Sequence, residues 1–296
     1  MRIYDGAKAD EIYAALHNFV PGNADDERAA IILTDITAIG SAKIFLIFYF
    51  YDGPEPPTTG PFAQFLNIDA ILDITKAQSY SELVRTFCHF IFPASSNIGT
   101  VKIQWPGGRI TPVAHQLQSK HVSNPLPTLT NADSDQTFTL PYVKDAPHMY
   151  GEISDKFTSL LEDHMKNPLR LTSQCSIDFQ PFPAIIGKHS EDLGGNAMGI
   201  TGDDLDRILL EIQCSWSSER DDEIFADASE ELTDWLEIKV PEWTKGEKHY
   251  LPYLMNDAAG DQNVTGTYRS YSDFKALQAE MDPDEFFKAR GGGFVY

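Results

Sequence analysis

The chain has 296 residues, 23 of them basic and 44 acidic, for a formal net charge of −21. With 42% apolar and 11% aromatic residues it can bury a sizeable core, which excludes wholesale disorder. So acidic a surface repels phosphates, which excludes nucleic acid and an anionic membrane surface as expected partners.

Three cysteines, Cys88, Cys175 and Cys214, are an odd number at wide spacing with no CxxC pair. That excludes a dense disulfide framework and the usual structural zinc patterns. Cys175 and Cys214 fall in apolar strand-like runs and are expected to be small buried hydrophobes. The first residues carry charges where a secretory leader needs an apolar stretch, and no run reaches membrane-spanning length. With Met1 as the start, the expected location is the cytoplasm.

In chain order, Asp5 and Gly6 precede a helix in which Ile12, Leu16 and Val20 recur at helical spacing. Ala30–Ile39 and Lys43–Tyr51, joined by Gly40-Ser41, read as a β-hairpin. The second strand is apolar on both faces and should be central. The stretch YDGPEPPTTGPF breaks all periodicity, and no strand or helix is expected in it. Ser79–Phe87 reads as a short helix, with Ser79 as its cap and Glu82 three residues on. From about 90 to 136 the pattern dissolves into an irregular excursion.

Met149–Met165 is a helix with Ile153, Phe157, Leu160 and Leu161 in one stripe. Gln174–Phe182 alternates as a strand, with Gln174, Ser176, Asp178 and Gln180 on one face. Asp206–Trp216 alternates more sharply: Ile208, Leu210, Ile212, Cys214 and Trp216 share one face, and Arg207, Leu209, Glu211, Gln213 and Ser215 the other. The turn Gly194-Gly195-Asn196 lies between these strands. An acidic helix, Ser218–Leu236, places Ile224, Ala228, Leu232 and Trp235 inward. A strand, Lys248–Leu254, and a helix, Tyr271–Met281, complete the order. The whole is α+β, one mostly antiparallel sheet with helices packed on one face, forming a single domain over 1–296.

The eight histidines are scattered, with no HxH or HExxH arrangement, so no metal is expected. There is no nucleophile elbow and no P-loop, and Gly291-Gly292-Gly293 follows a helix instead of opening one. The sequon at Asn263, Asn-Val-Thr, matters only in a secreted chain. Glu211 is the most informative residue. It lies mid-strand between Leu210 and Ile212, where a buried carboxylate is costly and must meet solvent, a partner or a ligand. It is either part of a solvated face or a general base.

RIYDGAKADEI, FYFYDGPEPPTTGPFAQFLNI, the Gly194-Gly195-Asn196 turn, RILLEIQCSW, the Tyr253/Asn256 region and MDPDEFFKARGGGF occur in one order. Together they resemble the C-terminal, substrate-binding half of berberine bridge enzyme-like FAD-linked oxidoreductases of the vanillyl-alcohol oxidase superfamily, closest to fungal-type members. The resemblance implies FAD as cofactor, Glu211 as the catalytic base facing the flavin and Tyr253 beside it. It makes Asn256 the cofactor-binding residue, although the spacing Y-L-M-N is wider than the family pattern. Asp178, Gln180 and Gln213 are the expected substrate contacts.

The family's N-terminal FAD-binding domain is not recognisable in the sequence, so flavin binding by this chain alone is not expected. The function implied is the substrate half of an FAD-dependent oxidoreductase acting on a small, largely apolar molecule. Its flavin would come from a separate FAD domain, or the sheet face would be covered by a second copy. The alternatives are a flavin-independent isomerase or cyclase using Glu211 as acid or base, and a non-catalytic remnant that binds a partner through the sheet face.

Overall fold

The computed structural model describes residues 1–22, 25–38, 42–79, 81–82, 132–167, 173–216 and 218–290. Its strands are β1 (Arg2–Asp5), β2 (Ala29–Ala38), β3 (Ala42–Tyr51), β4 (Leu72–Asp73), β5 (Ala132–Pro141), β6 (Gln174–Phe182) and β7 (Arg207–Trp216). They form one seven-stranded sheet in the order β4-β1-β3-β2-β6-β7-β5, antiparallel at every pairing. The described helices are α1 (Ala9–Gly22), α2 (Ala63–Leu66), α3 (Met149–Met165), α4 (Ala184–Asp192), α5 (Asp222–Trp243), α6 (Tyr271–Met281) and α7 (Phe286–Arg290). The chain is α+β, and no described helix is long and apolar enough to cross a membrane.

One face of the sheet is the core. Phe45, Ile47, Leu33, Ile177, Phe179, Leu210 and Ile212 are buried there against Ile12, Leu16 and Phe19 of α1, Ile153, Phe157 and Leu161 of α3, and Phe225 and Leu232 of α5. Tyr13 meets Phe45 edge-on at 5.5 Å and Phe179 at 6.1 Å, and Trp216 stacks on Phe225 at 4.7 Å. This core contains one buried polar knot. Asp35, 3% exposed, accepts from the Tyr13 hydroxyl at 2.5 Å and from Ser154, and the Lys43 ammonium lies 3.6 Å away and donates to Ser154. A carboxylate this deep persists only with such partners.

Several elements differ from the sequence reading. The span Ala132–Pro141, placed in or just after the irregular excursion, is the edge strand β5. Three of its polar side chains are held by other elements: Thr139 Oγ1 donates to Pro252 O at 2.7 Å, Thr137 Oγ1 to Leu210 O, and Gln136 accepts from Thr233. Residues 248–254 are not a strand. They run beside β5 as irregular chain, where Pro252 has no N–H for a ladder. Gln262 completes this edge, accepting from Thr137 N at 2.9 Å and donating to Thr137 O at 2.8 Å.

The acidic helix continues to Trp243, and its buried stripe is Phe225, Ala228, Leu232 and Leu236, so Ile224 and Trp235 sit at its margin. Strand β1 and helix α4 had no counterpart in the sequence reading, and the Pro-rich loop ends in a 3-10 turn, Gly60–Phe62, with Phe62 buried. Ser79 and Glu82 form the expected reciprocal cap. The rest of that helix, most of the excursion, and Gly291-Gly292-Gly293 lie outside the described residues.

Cys175 and Cys214 are not free thiols. They face each other in register across β6 and β7, 1% and 0% exposed, and form a disulfide. The spacing of 39 residues gave no sign of this, because the pairing exists only once the strands are aligned.

Candidate functional site

The second sheet face is assembled by strand register. One cross-strand row reads Leu46, Thr34, Asp178, Glu211 and Thr137, taken from β3, β2, β6, β7 and β5. The next reads Ile44, Ile36, Ser176, Gln213 and Asp135. Side chains alternate across a strand, so these rows point away from the helix-covered core. Leu46 and Leu209, on this face, are buried yet stand apart from the core cluster.

Glu211 and Asp178 are directly opposed on neighbouring antiparallel strands, half-buried, with like charges. Asp178 Oδ1 is a buried oxygen with no hydrogen-bond partner among the described residues. Asp257, on a 3-10 turn after the irregular 248–254 segment, is 8% exposed and joins the cluster with Asp135.

Burial raises the proton affinity of Glu211, and the charges of Asp178, Asp257 and Asp135 raise it further, to about 9. Burial also lifts Asp178, to about 7; the Thr34 hydroxyl opposes that shift, while Asp257 and Asp35 reinforce it. Burial, then Asp135, lifts Asp257 to about 6. Two opposed carboxyls in such a place titrate as a pair, and at neutral pH the pair retains a proton. The arrangement can therefore both donate and accept one within a few ångströms of strand surface.

Of the residues singled out in the sequence, Glu211, Asp178, Gln180 and Gln213 are brought to this face, with Gln213 exposed and Gln180 half-buried. Tyr253 is not brought to Glu211. Its ring packs 5.7 Å from Phe138, whose side chain points to the core, and burial and Glu237 of α5 raise its hydroxyl to about 12. The cause is the loss of the expected strand at 248–254, which wraps the β5 edge instead. Asn256 is exposed, and its neighbour Asp257 is the residue turned into the cluster.

Asp257 and Asp135 had no sequence signal as site residues. Asp135 would have shown one had β5 been recognised, since it alternates with Thr137 and Thr139. Among the described residues no cluster of side chains fits a metal ion. A separate cavity of about 180 Å³ lies at the far end of β7, between Arg207, Asp204, Lys248, His249 and Arg269. Its two arginines are paired with one carboxylate: Asp204 bridges Arg207 at 2.9 Å and Arg269 at 2.6 Å.

No family model matches the sequence. An uncharacterized FAD-linked oxidoreductase of Arthroderma benhamiae is 25% identical over 297 aligned residues, covering 98% of this chain and 51% of that protein. The FAD-dependent monooxygenase drtC of Aspergillus calidoustus is 29% identical over 120 residues, covering 39% of this chain and 22% of that protein. Among solved structures, a variant of berberine bridge enzyme aligns with a TM-score of 0.46 at 14% identity, over 96% of this chain and 51% of that one. The 6-hydroxy-D-nicotine oxidase of Arthrobacter nicotinovorans aligns with a TM-score of 0.43 at 10% identity, over 92% and 50%. The chain spans about half the length of the curated relative that it matches end to end. In sequence, along nearly its whole length, the chain is similar to one half of an FAD-linked oxidoreductase.

Proposed function

We propose that this chain supplies the substrate-side face of an FAD-linked oxidoreductase, and that the Glu211–Asp178 pair moves the substrate's proton there. The observation that carries the reading is the direct cross-strand opposition of two carboxyls on the sheet face away from the helices, with Asp178 Oδ1 buried and unpartnered. A group poised to change protonation near working pH suits general acid–base catalysis. Leu46 ends the row and Ile36 and Ile44 stand in the next, which supports a small and largely apolar substrate.

These strands do not fit the diphosphate of FAD. Arg207 is the only basic residue in β2, β5, β6 and β7, and its guanidinium is engaged by Asp204 and by Tyr250 O at 2.7 Å. The remaining ionisable groups on the face are carboxyls, which repel a diphosphate. In this reading the groups that hold the nucleotide come from a separate FAD domain, or the sheet face pairs with a second copy of the chain. The proton chemistry belongs to this chain alone: Asp178 as carboxylate accepts a proton from a substrate hydroxyl, while Glu211, kept protonated, donates a hydrogen bond to the oxygen left behind.

The same mismatch favours a second reading, a flavin-independent isomerase or cyclase in which Glu211 delivers a proton at one carbon and Asp178 removes one at another. One experiment separates the two. The natural gene product is purified and its visible spectrum recorded, then turnover of a panel of small phenols and alcohols is followed beside Asp178→Asn, which removes the base in either reading. A flavin band bleached by substrate, with bleaching slowed at least a hundredfold in the variant, supports the oxidoreductase. A colourless protein that isomerises substrate supports the second reading. Unchanged turnover in the variant removes Asp178 from both.

A further inference from the structure

We propose that Asn263 carries an N-linked glycan, and that this chain folds in the oxidising lumen of the secretory pathway. Two independent observations meet here. The first is the sequon Asn263-Val264-Thr265, which no other asparagine of the chain repeats. Asn263 is exposed, on the loop just before the 3-10 turn Thr265–Thr267. Its amide oxygen accepts from Gly266 N at 3.2 Å, so the turn uses the oxygen and not the nitrogen that bears a sugar. A Cβ at Gly266 would stand 2.5 Å from the oxygen and the nitrogen of the Asn263 amide, so a larger residue there would push that side chain aside.

The second observation is the buried Cys175–Cys214 disulfide, 1% and 0% exposed in the middle of the sheet. Structural disulfides form in oxidising compartments and are rare in the cytosol. The compartment that closes this bond is also the one that holds the glycosylation machinery, which is the condition the sequon lacked when read alone. The buried disulfide argues against the cytoplasmic location expected from the sequence.

Transfer takes place on the unfolded chain. Asn263 Nδ2 attacks the anomeric carbon of a polyprenyl diphosphate-linked oligosaccharide, the new C–N bond forms, the C–O bond to the diphosphate breaks, and Nδ2 gives up one proton. Because this precedes folding, burial of Thr265 at 3% exposure in the finished fold is no obstacle. The fold need only leave room at Asn263. The site lies on the segment that seals the β5 edge, where Gln262 brackets Thr137, so a sugar there would also shield an edge from pairing with another chain.

The test uses the natural gene product, tagged at its C-terminus and purified from its own host. Peptide N-glycosidase F should lower its mass by one N-glycan and leave aspartate at position 263 in the mapped peptide, with Cys175 and Cys214 recovered as one disulfide-linked pair. Asn263→Gln should migrate like the deglycosylated protein. Recovery of the Asn263 peptide unmodified overturns the proposal, whatever the state of the cysteines, and so does recovery of reduced Cys175 and Cys214. Neither readout depends on the enzymatic reading.

Discussion

Replacing Glu211 with glutamine should stabilise this protein, and should do so only above acid pH. The carboxyl is held at about 9 against an ordinary 4.5. A carboxyl whose folded value is raised binds its proton more tightly in the native state than in the unfolded one. Stability therefore falls as pH rises above 4.5, by about 1.4 kcal/mol per pH unit, and levels off near the folded value. By pH 7 the full effect would be about 3 kcal/mol. Asp178 shares the proton and solvent reaches part of the side chain, so we expect Glu211→Gln to recover about 1–2 kcal/mol at pH 7. For a chain of this size that is about 3–6 °C in Tm. Differential scanning calorimetry at pH 4.5, 7 and 8.5 should give a variant that gains with pH and matches the parent at pH 4.5. An equal shift at all three values, or a lower Tm at pH 8.5, would refute the reasoning.

Four further variants test the framework. Cys175→Ser with Cys214→Ser opens a loop closed over 39 residues and should cost about 4 kcal/mol on the chain-entropy account, seen as a lower denaturation midpoint in the absence of reductant. Phe179→Ala removes a fully buried ring that meets Tyr13 and Tyr150 and should cost about 3–5 kcal/mol in urea unfolding. Lys43→Met leaves the Asp35 carboxylate, with an Oδ1 that already has no partner, without its cation; it should cost about 3 kcal/mol in the same assay, and Lys43→Met with Asp35→Asn should cost less than Lys43→Met alone.

The sheet's centre was legible because its sequence is locally self-explaining. In β7 every second residue is apolar and buried, so both the strand and the separate face of Glu211 follow from the period alone. Strand β5 carries no such record. Gln136, Thr137 and Thr139 are buried because Thr233, Gln262, Leu210 and Pro252 supply hydrogen bonds from distant parts of the chain, and none of that is written in Ala132–Pro141 itself. Helix α4 was obscured by Gly187 in its middle. The structure explains that residue, since a Cβ there would stand 2.2 Å from the Thr201 carbonyl oxygen.

The site divides the same way. Glu211 and Asp178 were each visible as polar residues on alternating strands, but their opposition is a matter of register. Tyr253 looked like a strand neighbour of the site and instead packs, half-buried, against Phe138 at the β5 edge, while Asp257, which carries no periodic signal, is the group that the fold turns inward.

The chemistry proposed for this site rests on the proton that Glu211 and Asp178 hold between them at neutral pH. The direct measurement is a carbon-detected NMR titration of the side-chain carboxyls in the chain labelled at Glu and Asp, assigned through Glu211→Gln and Asp178→Asn. One carboxyl of the pair should ionise near neutrality and the other near 9, with the Glu211 titration falling in Asp178→Asn because the neighbouring charge is gone. If both carboxyls titrate close to 4 and neither variant moves the other, the pair is an ordinary solvated face and the acid–base site proposed for this chain does not exist.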